Sequence, residues 1–153
     1  MRVDRLTGKL QQALADAQSM AVGRDHNMLY PVHLVLAMVE QRDGAVRPLI
    51  VQAGGDYTKL RNELREQLEA LPVINNSDGQ VMMSPEMGRI LNLADKESQK
   101  RKDQYISSEL VLLAAVADSG DTGKVLRNCG LSQENLMKSI DQVRGGQSVD
   151  DPN

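Results

Sequence analysis

The sequence predicts an all-α fold in which a four-helix repeat occurs twice and eight helices form one domain. The first indication is the run Leu110–Ala117, which contains eight apolar residues and no polar one. A surface helix would carry polar residues on one face, so this run should be buried on all sides. A second apolar run, Pro31–Val39, is interrupted only by His33, and its proline suits a first helical turn. We interpret the two runs as the central helices of the two repeats.

The internal repeat is the second observation that predicts this fold. At a constant offset of 76 residues, helix-ending glycines and core positions of the two halves coincide. The matched pairs include Gly44 with Gly120, Gly54 with Gly130, Ile50 with Leu126, Leu60 with Leu136, and Leu64 with Ile140. Polar positions differ, since His33 falls opposite Glu109. We therefore expect one domain over 3–146, in which repeat 1 (6–71) and repeat 2 (83–146) pack about a pseudo-twofold axis.

Repeat 1 has the pattern of four helices, because apolar residues recur at spacings of three and four. The predicted ranges are 4–23, 31–40, 46–53 and 56–71. Gly54 lies just past the third helix, at a position where glycine favours a helix end. Asp56 is a candidate N-cap for the fourth helix. The inward stripe of that helix consists of Leu60, Leu64, Leu68 and Leu71.

Repeat 2 begins after the loop Asn75–Gly79 and has the same pattern. Its helices are expected to start at serines, whose hydroxyls accept hydrogen bonds from the first turn. The candidate caps are Ser84, which Pro85 follows, then Ser107 or Ser108, and finally Ser132. The last helix should turn Leu136, Ile140 and Val143 inward. The tail 147–153 is polar and without pattern, so we expect disorder or the start of a linker.

Composition places the chain in a broad class. Its 153 residues suit one domain, and a net charge of −3 with few aromatic residues argues against a nucleic-acid partner. No apolar run reaches the roughly 20 residues that span a membrane. The N-terminus lacks the apolar segment of a signal peptide, and the lone Cys129 suits a reducing compartment. We therefore expect a soluble cytoplasmic protein without a nucleic-acid or membrane partner.

Motifs for catalysis are missing from the sequence. The two histidines, His26 and His33, do not stand in a metal-binding spacing, and Cys129 has no neighbouring ligand. No phosphate-binding loop and no nucleophile elbow occurs. We expect no metal and no catalytic residue on this chain, and we expect His33 to be a structural hydrogen-bonding group. A stand-alone all-α enzyme would need an activity that no motif predicts, so the chain should act by binding.

An ordered set of short motifs is similar to a known family. These motifs are Arg5–Thr7 with Ala13, Leu14 and Ala17, then Pro31–Leu34, Ser84–Pro85, Ile106–Leu110 and Arg144–Gly146. Together they resemble the N-terminal domain of the Clp family of AAA+ unfoldases, over residues 3–146. Asp103, the following Ile106–Leu110 and the Arg-Gly-Gly ending look most like the ClpB disaggregase branch. The ClpA and ClpC branches usually carry His-Leu or His-Ile where this chain has Glu109-Leu110.

The resemblance implies a function for a larger protein. ClpB-type proteins are cytoplasmic stress-response chaperones, homohexameric rings with two ATPase modules that use ATP and Mg and with a coiled-coil middle domain. They thread aggregated polypeptides and cooperate with the DnaK-type chaperone. No ATPase motif lies in these 153 residues, so 147–153 would begin the linker to absent ATPase modules. The domain would engage unfolded or aggregated polypeptides and would itself have no cofactor. The alternative is adaptor docking, as in ClpA and ClpC.

The resemblance also implies a site, a polar cluster beside an apolar groove. The matching polar positions are Thr7, Asp103 and Glu109, and the candidate groove residues are Leu91, Leu93 and Leu110. Each polar residue also has a purely structural interpretation. Thr7 could be a first-turn residue, Asp103 a turn former, and Glu109 a partner of the helix dipole. Leu91 and Leu93 point about 160° apart on an ideal helix, so one of them should line the surface.

Overall fold

The computed structural model describes residues 3–74 and 79–153, so most of the predicted loop Asn75–Gly79 lies outside the described residues. Within these ranges the chain forms eight α-helices, which confirms the all-α fold. They are α1 (Gly8–Gly23), α2 (Pro31–Val39), α3 (Val46–Gln52), α4 (Tyr57–Glu69), α5 (Pro85–Lys100), α6 (Ser108–Ala117), α7 (Asp121–Asn128) and α8 (Gln133–Arg144). A 3-10 helix (Val3–Arg5) and two short strands, β1 (Met28–Leu29) and β2 (Met82–Met83), complete the described structure.

The four helices α1–α4 recur as α5–α8, but the offset differs from the predicted one in the first half of each repeat. Thr7 and Ser84, 77 residues apart, are equivalent N-caps that accept hydrogen bonds from Leu10 N and Met87 N. From the third helix onward the offset is 76, as shown by Gly54 and Gly130 with φ of +94° and +95°. The constant offset of 76 is therefore wrong by one residue in the first two helices. The connection after α6, 118–120, is shorter than the one after α2, 40–45, and absorbs the difference.

The first helix starts later than the periodicity predicts. Thr7 has extended backbone angles, and its hydroxyl oxygen accepts a hydrogen bond from Leu10 N at 3.3 Å, so α1 begins at Gly8 rather than near residue 4. The preceding Val3–Arg5 form the separate 3-10 helix. Apolar spacing cannot locate this boundary, because Leu6 is buried in the core whether or not it is helical.

Short parallel pairings join the repeats across the pseudo-twofold axis. Leu29 of repeat 1 pairs with Met83 of repeat 2 in the β1–β2 ladder. Leu29 corresponds to Ile106 in repeat 2, and Met83 corresponds to Leu6 in repeat 1. Ile106 and Leu6 likewise pair with each other, in an isolated parallel bridge. Thr7 N donates to Ile106 O at 3.0 Å, and Ser84 N donates to Leu29 O at 3.1 Å in the same exchanged relation. The segment before the first helix of each repeat therefore pairs with the segment before the second helix of the other.

The core is built around α2 and α6. Every residue of α2 is buried, and α6 is buried from Leu110 to Val116. The predicted burial of the run Leu110–Ala117 is thus confirmed except at Ala117, which is exposed where the helix ends. Burying each aliphatic side chain of these helices contributes about 1.5–3 kcal/mol, which compensates for the absence of Phe and Trp. Among the helices described, none has the length and apolarity needed to cross a membrane.

His33 and His26 form a buried hydrogen-bonded pair between α1 and α2. Tyr30 N donates to His33 Nδ1 at 2.9 Å, so the other ring nitrogen, Nε2, carries the proton and lies 2.9 Å from His26 Nδ1. This confirms the structural hydrogen-bonding role expected for His33. Burial, together with the nearby His26, lowers the pKa of His33 to about 4, and burial also lowers the pKa of His26. Both rings are therefore neutral in the folded protein at neutral pH.

This pair should make the domain less stable in mild acid. An unfolded His33 binds a proton near pH 6.5, whereas the folded one does so only near pH 4, so acidification favours the unfolded state within this window. Between pH 6.5 and pH 5 the free energy of unfolding should fall by roughly 2 kcal/mol. Urea unfolding followed by circular dichroism at several pH values measures this change. His33→Gln should be less stable at pH 7 but should lose much less stability over the same interval; an equal loss would contradict the assignment.

Candidate functional site

Asp103 and Glu109, two of the predicted site residues, meet at a buried arginine. Asp103 lies in the turn between α5 and α6, Glu109 in the first turn of α6, and Arg144 at the end of α8. Arg144 Nη1 donates to both carboxylate oxygens of Asp103 at 2.9 Å. Its Nε and Nη2 donate to Glu109 Oε1 at 2.9 and 2.7 Å. One guanidinium therefore fixes the positions of both carboxylates.

The cluster is largely removed from water. The side chain of Asp103 is 0% exposed, that of Arg144 is 8% exposed and that of Glu109 is 13% exposed. Buried charges are tolerated when they are paired and hydrogen-bonded, as they are here. The sequence analysis missed the role of Arg144, because a basic residue in a last helical turn is adequately explained by the helix dipole. The prediction that Val143 points inward is wrong, because α8 directs the neighbouring Arg144 toward the carboxylates and leaves Val143 exposed.

Thr7 and Glu109 both line one surface cleft. The N–H of Thr7 donates to Ile106 O and its hydroxyl oxygen caps α1, so its polar groups hold the cleft wall in place. The cleft has a volume of about 520 Å³. Residues from α1, α6 and the C-terminal tail line it: Thr7, Lys9, Ala45, Ser107, Ser108, Glu109, Gln147, Ser148, Val149, Asp150, Asp151 and Asn153.

The tail 147–153 lies against the protein, which differs from the first alternative, disorder; the second alternative, the start of a linker, stays a prediction. Gln104 N and Tyr105 N donate to Val149 O at 2.9 and 3.2 Å, and Val149 N donates to Asp103 Oδ1 at 2.9 Å. These contacts use mostly main-chain atoms of the tail. A polar segment without side-chain pattern gives no sequence signal for such contacts.

An apolar groove lies farther along α6. It has a volume of about 110 Å³ and is lined by Leu93, Glu97, Leu110, Leu113, Ala114, Ala117 and Gln133. Leu93 is 41% exposed, whereas Leu91 is 4% exposed and belongs to the core. The expectation that one of these two residues lines the surface is confirmed. Leu110 forms part of the groove wall but is buried, so it is not an accessible end of the apolar run.

The chemistry of these residues favours binding. Within 3–74 and 79–153, no group of His, Cys, Asp or Glu side chains is arranged to hold a metal ion. Burial and the nearby Glu63 raise the pKa of the Cys129 thiol to about 11, so the thiolate needed for a nucleophile is not formed at neutral pH. The cleft offers hydroxyls and carboxylates and the groove offers aliphatic surface, which together can contact an extended polypeptide.

Arg144 should be essential for the stability of this region. Arg144→Ala leaves two carboxylates buried without a counter-charge, so we expect the free energy of unfolding to fall by about 3–5 kcal/mol. The free energy of unfolding of Arg144→Lys should lie between those of the unchanged protein and of Arg144→Ala, because an ammonium group keeps the charge but cannot form the forked contacts. Chemical denaturation measures both changes.

The matched control is Arg65→Ala on α4. Arg65 pairs with Glu40 on the exposed surface, so its loss should change the free energy of unfolding little. If Arg144→Ala costs no more than Arg65→Ala, the buried cluster does not stabilise the fold.

Comparison with known proteins gives matches along the chain. Residues 5–129 match the model of the Clp repeat N-terminal domain. The chaperone protein ClpB of Pseudomonas putida is 49% identical over 153 residues, which is 100% of this chain and 18% of that protein. The chain thus spans less than a fifth of the length of this curated relative.

Solved structures share the fold at low sequence identity. The N-terminal domain of Hsp104 from Candida albicans superposes with a TM-score of 0.85 at 21% identity, covering 97% of both chains. A ClpV N-domain in complex with a VipB peptide superposes with a TM-score of 0.72 at 19% identity, covering 94% of this chain and 89% of that one. The family match covers most of the chain, and the duplicated helical architecture agrees with it. The chain belongs to the family of Clp repeat N-terminal domains.

Proposed function

We propose that this domain is the substrate-engaging N-terminal domain of a ClpB-type, ATP-dependent protein disaggregase. It binds exposed segments of unfolded or aggregated polypeptide and passes them to the hexameric ring. The high identity to ClpB over the whole chain supports the assignment to this branch. In the complete protein, ATP and Mg would bind to ATPase modules outside these residues, and the homohexamer would work in the cytoplasm with the DnaK-type chaperone.

The observation that carries this proposal is the arrangement of two surfaces along one helix. The first turn of α6 contributes Ser108 and Glu109 to the polar cleft. The following turns contribute Leu110, Leu113, Ala114 and Ala117 to the apolar groove. An unfolded segment carries apolar side chains on a polar backbone. The cleft can form hydrogen bonds with the backbone, and the groove can contact the apolar side chains.

Most residues of the site then have a proposed role. Glu109 accepts hydrogen bonds from the bound segment, and Asp103 fixes the position of Glu109 through Arg144. Thr7 holds the cleft wall, Leu93 contacts apolar side chains, and the buried Leu110 forms the wall of the groove. Leu91 is buried in the core and does not line the groove, so it has no proposed contact with the bound segment. Because few side chains are involved and none forms a deep specificity pocket, binding should be weak and tolerant of sequence.

Adaptor docking, as in ClpA and ClpC, is the second candidate function. It is supported by the structural similarity to a ClpV N-domain that holds a peptide of a named partner, VipB. The sequence that follows residue 153 in the gene distinguishes the two functions. A peptidase-docking loop in the second ATPase module would favour adaptor docking, and its absence would favour the disaggregase.

Leu93→Gln should weaken polypeptide binding about tenfold, because it removes exposed apolar surface worth ~1.4 kcal/mol from the groove. The measurement is a titration with an unfolded, apolar polypeptide, followed by amide chemical shifts. In the unchanged protein, the amides of Thr7, Asp103 and Glu109 should respond together with those of the groove. The matched control, Val51→Gln, replaces an exposed apolar residue on α3 and should bind normally. A response confined to another face would show that the site is misplaced.

Ser108→Ala tests the polar cleft. Among residues 3–74 and 79–153, Ser108 Oγ is buried without a hydrogen-bond partner, so its removal should raise the free energy of unfolding by about 1 kcal/mol. Affinity for the polypeptide should fall about fivefold if the bound segment supplies the missing partner. Ser19→Ala, on the exposed face of α1, is the control for serine removal. Unchanged affinity in the Ser108 variant would place the bound segment elsewhere.

A further inference from the structure

We propose that the tail 147–153 is an intramolecular ligand of the polar cleft, and that an extended polypeptide binds there by displacing it. This inference rests on the proposed function, because it concerns how the same cleft is filled. It identifies the form of ligand that the cleft accepts, an extended main chain, and the segment with which that ligand competes.

The tail forms one wall of the cleft and follows the turn before α6 as an extended peptide would. Val149 exchanges main-chain hydrogen bonds with the turn before α6, donating to Asp103 Oδ1 and accepting from Gln104 N and Tyr105 N. Farther along, Pro152 O accepts a hydrogen bond from Gly8 N at the start of α1. The tail contributes main-chain groups to all of these contacts, so another extended segment of different sequence could make them.

The path of the tail follows the pseudo-twofold symmetry. In repeat 1, the segment after α4 returns to the turn between α1 and α2, where Ile74 N donates to Asp25 O at 2.9 Å. In repeat 2, the segment after α8 returns to the turn between α5 and α6, where Ser148 Oγ donates to Arg101 O at 3.1 Å. The position of the tail is therefore a property of the repeat.

The tail is held weakly enough to be exchanged. Apart from the half-buried Val149, its residues are exposed, so it buries little apolar surface. When the tail is released, water replaces its hydrogen-bond partners, so these bonds stabilise the bound tail only slightly. Binding also orders seven residues, and the loss of their conformational entropy favours release. Asp150 and Asp151 also bring two negative charges to the cleft that holds Glu109, and Lys9 offsets one of them.

The resident tail also leaves one group of the cleft unsatisfied. Ser108 lines the cleft, and its Oγ is buried without a hydrogen-bond partner in the described part of the chain. A buried hydroxyl without a partner is unfavourable, so a ligand that supplies one has an advantage over the tail.

A reversible disulfide between positions 8 and 153 tests the proposal. A Cβ atom added at Gly8 would lie 3.9 Å from Asn153 Cα, which suits a disulfide in Gly8→Cys with Asn153→Cys. The native Cys129 is buried and should not interfere. Oxidation fixes the tail in the cleft, so the oxidised variant should bind reduced and carboxymethylated lysozyme, a permanently unfolded probe, at least tenfold more weakly than the reduced variant. Fluorescence anisotropy of the labelled probe measures both affinities.

The controls separate this inference from the function on which it rests. Gly8→Cys alone should bind the probe equally under both conditions. If the oxidised and reduced double variants bind equally well, the probe uses another surface or tolerates the tail, and the displacement proposal is overturned while polypeptide binding stands. If the unchanged protein does not bind the probe, the proposed function fails and this inference fails with it.

Hydrogen exchange of the unchanged protein provides a second measurement. The Val149 amide donates to Asp103 Oδ1 and should be protected from exchange in the free protein. Saturation with the same probe should increase its exchange rate at least tenfold, because displacement exposes the amide to water. Protection that persists while the probe is bound would overturn the proposal.

Discussion

Two helices without a polar face, α2 and α6, must be surrounded by protein on nearly every side, and the rest of the structure follows from this constraint. A single four-helix repeat of this length would leave part of such a helix in water, whereas two repeats packed about a pseudo-twofold axis enclose both. The parts of α6 that reach the surface are its first turn, which carries the half-buried Glu109 beside the cleft, and its last residue, the exposed Ala117 beside the groove. The demand for burial therefore places the polar cleft and the apolar groove side by side on one helix.

The two repeats fill equivalent positions with different chemistry. Asp103, Glu109 and Arg144 of repeat 2 correspond to His26, Val32 and Leu68 of repeat 1, at the offsets that the structure establishes. The turns themselves are the same, since His26 N donates to Ala21 O and Asp103 N donates to Ser98 O. Repeat 1 shows that the scaffold folds without a buried ion cluster at this place, in keeping with the small net stability that such clusters provide. The charges of repeat 2 are better explained by the surface they organise.

The sequence predicts the elements of this fold well and the relations between them less well. The caps at Asp56, Ser84 and Ser132 accept the expected first-turn hydrogen bonds, because capping depends on residues three positions apart. Arg144 depends on carboxylates 35 and 41 residues away, and no local pattern indicates such a contact. The sequence also does not predict the position of the tail, since main-chain hydrogen bonds do not depend on side-chain type. Family resemblance indicated Asp103 and Glu109, but the residue that holds them had to be found in the structure.

The exchanged pairings at Leu6 with Ile106 and Leu29 with Met83 have a mechanical consequence. Each half of the domain supplies a backbone partner to the other half, so two separate pairings join the two copies. Force applied at either end of the chain is shared by both halves from the outset. A pulling force therefore has to break these pairings before the two halves of the domain can separate.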